Sequence, residues 1–84
     1  MKEITLEDCY ELKRKFVDYT DRAEQHEFPF LAMLDFRMTR SLKQFEDLGE
    51  INQEDANAMF RVILKMLGED YSEYAKEPEV TEDV

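Results

Sequence analysis

Glycine and proline are scarce in this chain: two of each among 84 residues. Loops that cradle phosphate need clustered glycines. Gly49 and Gly68 stand far apart, so a loop of that kind is excluded. The single cysteine, Cys9, has no partner for an internal disulfide, and that count suits a reducing compartment. The single histidine, His26, has Glu24 and Glu27 as its nearest acids, and neither shares a helical face with it well. A solvated loop histidine is the expectation there. No D-x-D-x-D-G loop, H-E-x-x-H or paired Glu-x-x-His occurs, so no metal and no cofactor is expected. Cys9 lacks a neighbouring base, and Glu7 and Asp8 beside it raise rather than lower a thiol pKa. These absences argue against an enzyme.

No basic stretch followed by an apolar run opens the sequence, so no secretory signal is expected. The apolar runs fall far short of the roughly 20 residues that span a bilayer. The expectation is a cytoplasmic protein with no membrane partner.

What the chain has is acid. The net charge is -10, from 21 acidic and 11 basic residues, and residues 69–84 alone carry seven acids against Lys76. Phosphate binding relies on cationic side chains, so direct nucleic-acid binding is disfavoured and a partner with a basic surface is favoured.

Hydrophobic spacing and capping residues give an all-α reading. Thr5 followed by Asp8 marks a helix start, and Cys9, Leu12, Phe16, Tyr19 and Ala23 recur on one face. This first helix is expected over 5–26, fading where Phe28 precedes Pro29 and is biased away from helical geometry. Pro29 suits a helix start, and Gly49 suits a left-handed cap, which places a second helix at 29–48. Asn52 with Asp55 opens a third, expected over 52–67 and closed by Gly68. The short connection predicts an antiparallel hairpin of helices 2 and 3 within a small three-helix bundle. Asn57, Arg61 and Lys65 read as the solvent strip of helix 3. Tyr71, Tyr74 and Ala75 have the spacing of a short helical turn around 70–76. A single helical domain over 1–76 and a flexible acidic tail over 77–84 complete the organisation.

One segment breaks the amphipathic pattern. From Phe28 to Phe36 the chain is apolar all the way round, apart from Asp35. Leu31, Leu34, Met38, Leu42 and Phe45 make a core stripe, while Ala32, Met33 and Phe36 lie opposite. So short a chain has little interior to bury both sides. The second side is therefore expected to meet a second copy or another protein, unless helix 1 or the two tyrosines cover it. Candidate partner-binding residues are Phe28, Phe30, Met33, Phe36, Arg37, Arg40, Tyr71 and Tyr74.

Three functions follow as expectations. The first is a self-associating, homodimeric interaction protein that binds and modulates, by inhibition, a larger protein. Small acidic helical chains without enzymatic motifs are frequent among phage and mobile-element inhibitors. The second is a nucleic-acid mimic whose carboxylates, Glu7, Glu11, Asp18, Glu69, Asp70 and Glu73, stand in for phosphates. The third is a helix-turn-helix regulator using the strip Arg37, Arg40 and Lys43. Gln53-Glu54-Asp55 at the head of its candidate recognition helix argues against that.

Overall fold

A computed structural model describes residues 2–74 of the chain. Three α-helices follow one another: α1 (Leu6–Arg22), α2 (Phe28–Leu48) and α3 (Gln53–Leu67), with a 3-10 turn at Gln25–Glu27. There is no strand among the described residues, so the protein is all-α. The expected tail over 77–84, and the domain boundary before it, lie outside the described residues.

Each helix begins and ends for a local reason. At α1 the Thr5 hydroxyl accepts the Asp8 N–H at 3.2 Å, and the Asp8 carboxylate accepts the Thr5 N–H at 3.0 Å. Two otherwise orphaned donors are thereby satisfied reciprocally. Gly49 closes α2 at φ 77, its N–H donating to the Phe45 carbonyl at 2.8 Å. The Asn52 side chain caps α3 by accepting the Asp55 N–H at 3.0 Å. At the far end Gly68 donates to Lys65 and Glu69 donates to Leu64, the two-bond closure that a left-handed residue permits.

α1 stops at Arg22, four residues before the expected end, and Ala23 is extended. A competing local network explains the stop. The Glu27 carboxylate accepts the Glu24 N–H at 3.2 Å and the Tyr19 hydroxyl at 2.6 Å, which pins the 3-10 turn against α1. Phe28 also departs from expectation, because it is helical (φ -58, ψ -40). Its N–H already bonds the Gln25 carbonyl. The general bias against helical geometry before proline yields to that continuous turn.

The core draws on all three helices. Cys9, Leu12 and Phe16 of α1 meet Leu31, Leu34 and Met38 of α2 and a broad face of α3: Ala56, Met59, Phe60, Ile63 and Leu64. Each large side chain buried here contributes about 1.5–3 kcal/mol relative to exposure. Leu42 and Phe45 continue the α2 stripe as partly buried residues. α1 and α2 run antiparallel, since Tyr10 bonds Glu46, Lys13 reaches Thr39 and Asp35, and Tyr19 reaches Glu27.

A further core residue lies before the first helix. Ile4 is fully buried, and its backbone is held by Gln53. One turn further along α3, Asn57 holds the backbone of Lys2 in the same way. The reading of Asn57 as solvent-exposed is therefore overturned: it is fully buried, bonded on its amide nitrogen to Lys2 and to Gln53. Arg61 is half-buried, donating to the carbonyls of Tyr71 and Tyr74 at 3.3 and 2.9 Å. Only Lys65 of the expected strip is fully exposed. Where a short helix was expected near 70–76, the described part is one hydrogen-bonded turn, Tyr74 N–H to Tyr71 carbonyl at 3.2 Å.

Candidate functional site

α2 is a ridge with one buried side and one bare side. Leu31, Leu34 and Met38 are 2–3% exposed, whereas Met33 and Phe36 are 59% and 69% exposed. Phe28 and Phe30 at the start of the ridge are 44% and 47% exposed. Neither α1 nor the tyrosines cover Met33 and Phe36. Tyr74 instead stacks near Phe60 with ring centroids 5.2 Å apart, and Tyr71 lies under the Arg61 guanidinium at 4.7 Å. The tyrosines thus belong to the packing around α3, apart from Phe28, Met33 and Phe36.

Two shallow grooves flank the ridge. The one between α1 and α2 measures about 380 Å³, with Phe16 and Leu31 beneath, Val17, Phe28 and Ala32 on the walls, and Asp21 and Asp35 at the rim. The one on the other flank measures about 510 Å³ and holds Met33, Phe36, Arg37 and Arg40, with Asp55 of α3 opposite. Asp21, Arg37 and Arg40 make no ion pair among the described residues, and Asp35 has only a long one, 3.8 Å to Lys13. One flank of the ridge is acidic and the other basic. That asymmetry was not visible in sequence, because Asp21 comes from a different helix.

The proposed mimic carboxylates do not form one row. Glu7, Glu11 and Asp18 are exposed along α1. Glu69, however, pairs with Lys15 at 2.7 Å, Glu73 pairs with Lys2 at 3.4 Å, and Asp70 accepts the Ser72 N–H at 2.9 Å. These bonds leave traces in acidity: Lys15 is raised chiefly by its bond to Glu69, and Asp70 is held below the usual carboxylate range by Ser72. Lys2 is raised by the Tyr74 hydroxyl and then by Glu73. On α3, the candidate recognition helix of the helix-turn-helix reading, Gln53 and Asn57 bond the backbone of the N-terminal segment.

The single thiol and the single imidazole sit apart, one in the core and one at the surface. Cys9 is buried on the core face, and its thiol is pushed up to about 11 by that burial and then by Asp8. His26 is exposed, with its Nδ1 3.4 Å from Glu24. Among the described residues no cluster of three or more His, Cys, Asp or Glu side chains is arranged to hold a metal ion. Among those residues, too, no helix is long and apolar enough to cross a membrane. No known protein family, no curated protein and no solved structure matches this chain.

Proposed function

We propose that this is a small acidic interaction protein that binds and inhibits a larger protein, with the bare side of α2 as its contact surface. One observation carries the reading. Met33 and Phe36 stand more than half exposed on a helix whose opposite side buries Leu31, Leu34 and Met38. Exposed Met and Phe grouped on one face are what an adaptable binding surface requires, and isolated soluble domains seldom leave such groups bare. Burying the pair is worth on the order of 3–5 kcal/mol by transfer estimates, before the cost of association.

The same reading includes self-association into a homodimer and an antiparallel α2–α3 pair supported by the short Gly49–Asn52 connection. Residues 77–84 act in it as an acidic tail that steers a basic partner inward rather than supplying the contact core. Solvation in the cytoplasm suits the composition. Light scattering and partner pull-down with wild type and Met33→Glu/Phe36→Glu test it. The reading requires that the double variant lose association while keeping its helicity. Equal association by both proteins would overturn it.

A further inference from the structure

The two flanks of α2 differ in sign, and this difference selects an occupant. We infer that the face is a two-fold dimer interface in which the ridge of each copy lies in the α1–α2 groove of the other. The inference rests on the reading of α2 as a contact surface and names the second copy as what covers it.

The chemistry is self-complementary. The groove offers an apolar floor and walls (Val17, Phe28, Ala32) between two acids, Asp21 and Asp35. The ridge offers what such a groove takes: apolar Met33 and Phe36 beside the cations Arg37 and Arg40. Those cations have no ion-pair partner among the described residues of their own copy. The chain's own residues 75–84 are the wrong chemistry for this groove, carrying four acids and one base.

Symmetry then fixes the orientation. A two-fold axis running across facing ridges would leave each flank opposite its own kind, acid on acid and base on base. An axis running along the ridges exchanges left and right. It sets the acidic flank of each copy against the basic flank of the other, in two equivalent seams where Asp35 lies level with Arg37 and Arg40, and Asp21 lies nearer the start of α2. The α2 helices of the dimer are therefore side by side and roughly parallel. This arrangement closes on itself, so it yields a dimer and not a filament.

Charge reversal in two separate proteins tests this directly. The first variant is Asp21→Lys/Asp35→Lys, and the second is Arg37→Glu/Arg40→Glu. All four positions are exposed, and circular dichroism checks that each variant keeps its helicity. Analytical ultracentrifugation of wild type at high micromolar concentration is expected to give a dimer. Each variant alone places like charges in both seams and is expected to weaken the dimer by roughly a hundredfold or more. Mixed one to one, the two variants have opposite charges in both seams and are expected to form a heterodimer. The milder pair Asp21→Asn/Asp35→Asn and Arg37→Gln/Arg40→Gln should weaken the homodimer and recover only in part on mixing, because the heterodimer regains one charged seam and leaves the other neutral.

A monomeric wild type overturns the inference while leaving binding to a foreign protein intact. A dimer indifferent to both reversals overturns it as well, as does failure of the mixture to recover. Failure of the broader reading has a different signature: Met33→Glu/Phe36→Glu would then associate and bind like wild type.

Discussion

The side-chain amide of Gln53 holds the backbone of Ile4 by both of its polar groups: Oε1 accepts the Ile4 N–H at 2.7 Å, and Nε2 donates to the Ile4 carbonyl at 2.9 Å. Asn57 repeats the arrangement on Lys2, at 3.3 and 2.9 Å. The registers match. Four residues of helix advance about 6 Å, close to the roughly 6.6 Å that two residues of extended chain cover. In an extended chain the N–H and C=O of alternate residues face the same way. Two amides one turn apart on α3 therefore act as a substitute strand and seat Ile4 in the core.

That clasp should show in stability. Ile4→Ala is expected to cost about 2–4 kcal/mol as a core truncation. Gln53→Ala and Asn57→Ala should each cost about 1–3 kcal/mol, with Asn57 the larger because the site is fully buried. The double variant Ile4→Ala/Gln53→Ala should fall short of the sum, since both changes release the same segment. Urea denaturation of wild type, Ile4→Ala, Gln53→Ala and the double variant supplies the cycle; strict additivity would mean the segment is not held as a unit.

The bare α2 side chains should be dispensable for folding. Met33→Glu/Phe36→Glu is expected to leave unfolding free energy within about 0.5 kcal/mol of wild type. Leu34→Ala, on the buried side of the same helix, should cost about 2–5 kcal/mol. Thermal melts at a concentration low enough to exclude association separate these outcomes.

Gly49 has φ 77, and a Cβ built there would meet no atom within 4 Å. A Gly49→Ala change therefore brings backbone strain without a clash. The expected cost is about 1–2 kcal/mol, and Gly49→Asn should cost less, since Asn tolerates the left-handed region. Urea midpoints of the two variants give the comparison.

Glu27 contributes to the acid limb of stability. The Tyr19 hydroxyl, and then the Glu24 N–H, hold its carboxyl below the ordinary value of 4.5. A depressed carboxylate stabilises the fold fully above its unfolded pKa, and that contribution is lost as pH falls through the folded value. Melting temperature should therefore drop below pH 4.5 less steeply in Glu27→Gln than in wild type. Parallel curves would place the acid sensitivity elsewhere, with Asp70 another depressed carboxylate.

Cys9 should be inert in the native state. Its thiol, raised to about 11, is almost wholly protonated at neutral pH and is out of solvent besides. Iodoacetamide is expected to label it only as fast as the protein opens, and promptly in urea. Rapid native labelling would show that α1 leaves the core readily.

Much of this fold was written locally. Thr5 with Asp8, Gly49, Asn52 and Gly68 are boundary signals that act over four or five residues, and they set where the helices begin and end. The core stripes of α1 and α2 and the bare side at Met33 and Phe36 come from the same short-range periodicity. Signals of that kind fail where two local preferences compete, as at the end of α1, where the Glu27 carboxylate takes the Glu24 N–H that a continuing helix would have bonded to the Thr20 carbonyl. They also fail where the decisive neighbour is distant in the chain. Asn57 looks like a solvent residue until Lys2 arrives from 55 residues away to satisfy its amide. Arg61 looks free until the carbonyls of Tyr71 and Tyr74 fold back on it. Ile4 precedes every helical signal and reads as a loose end until Gln53 holds it. Asp21 and Asp35 become opposite walls of one groove only when α1 and α2 pack. The helices were determined by sequence because their hydrogen bonds join near neighbours; the clasp and the two charged flanks of α2 were decided by tertiary structure, because burial and charge pairing depend on which distant residues meet.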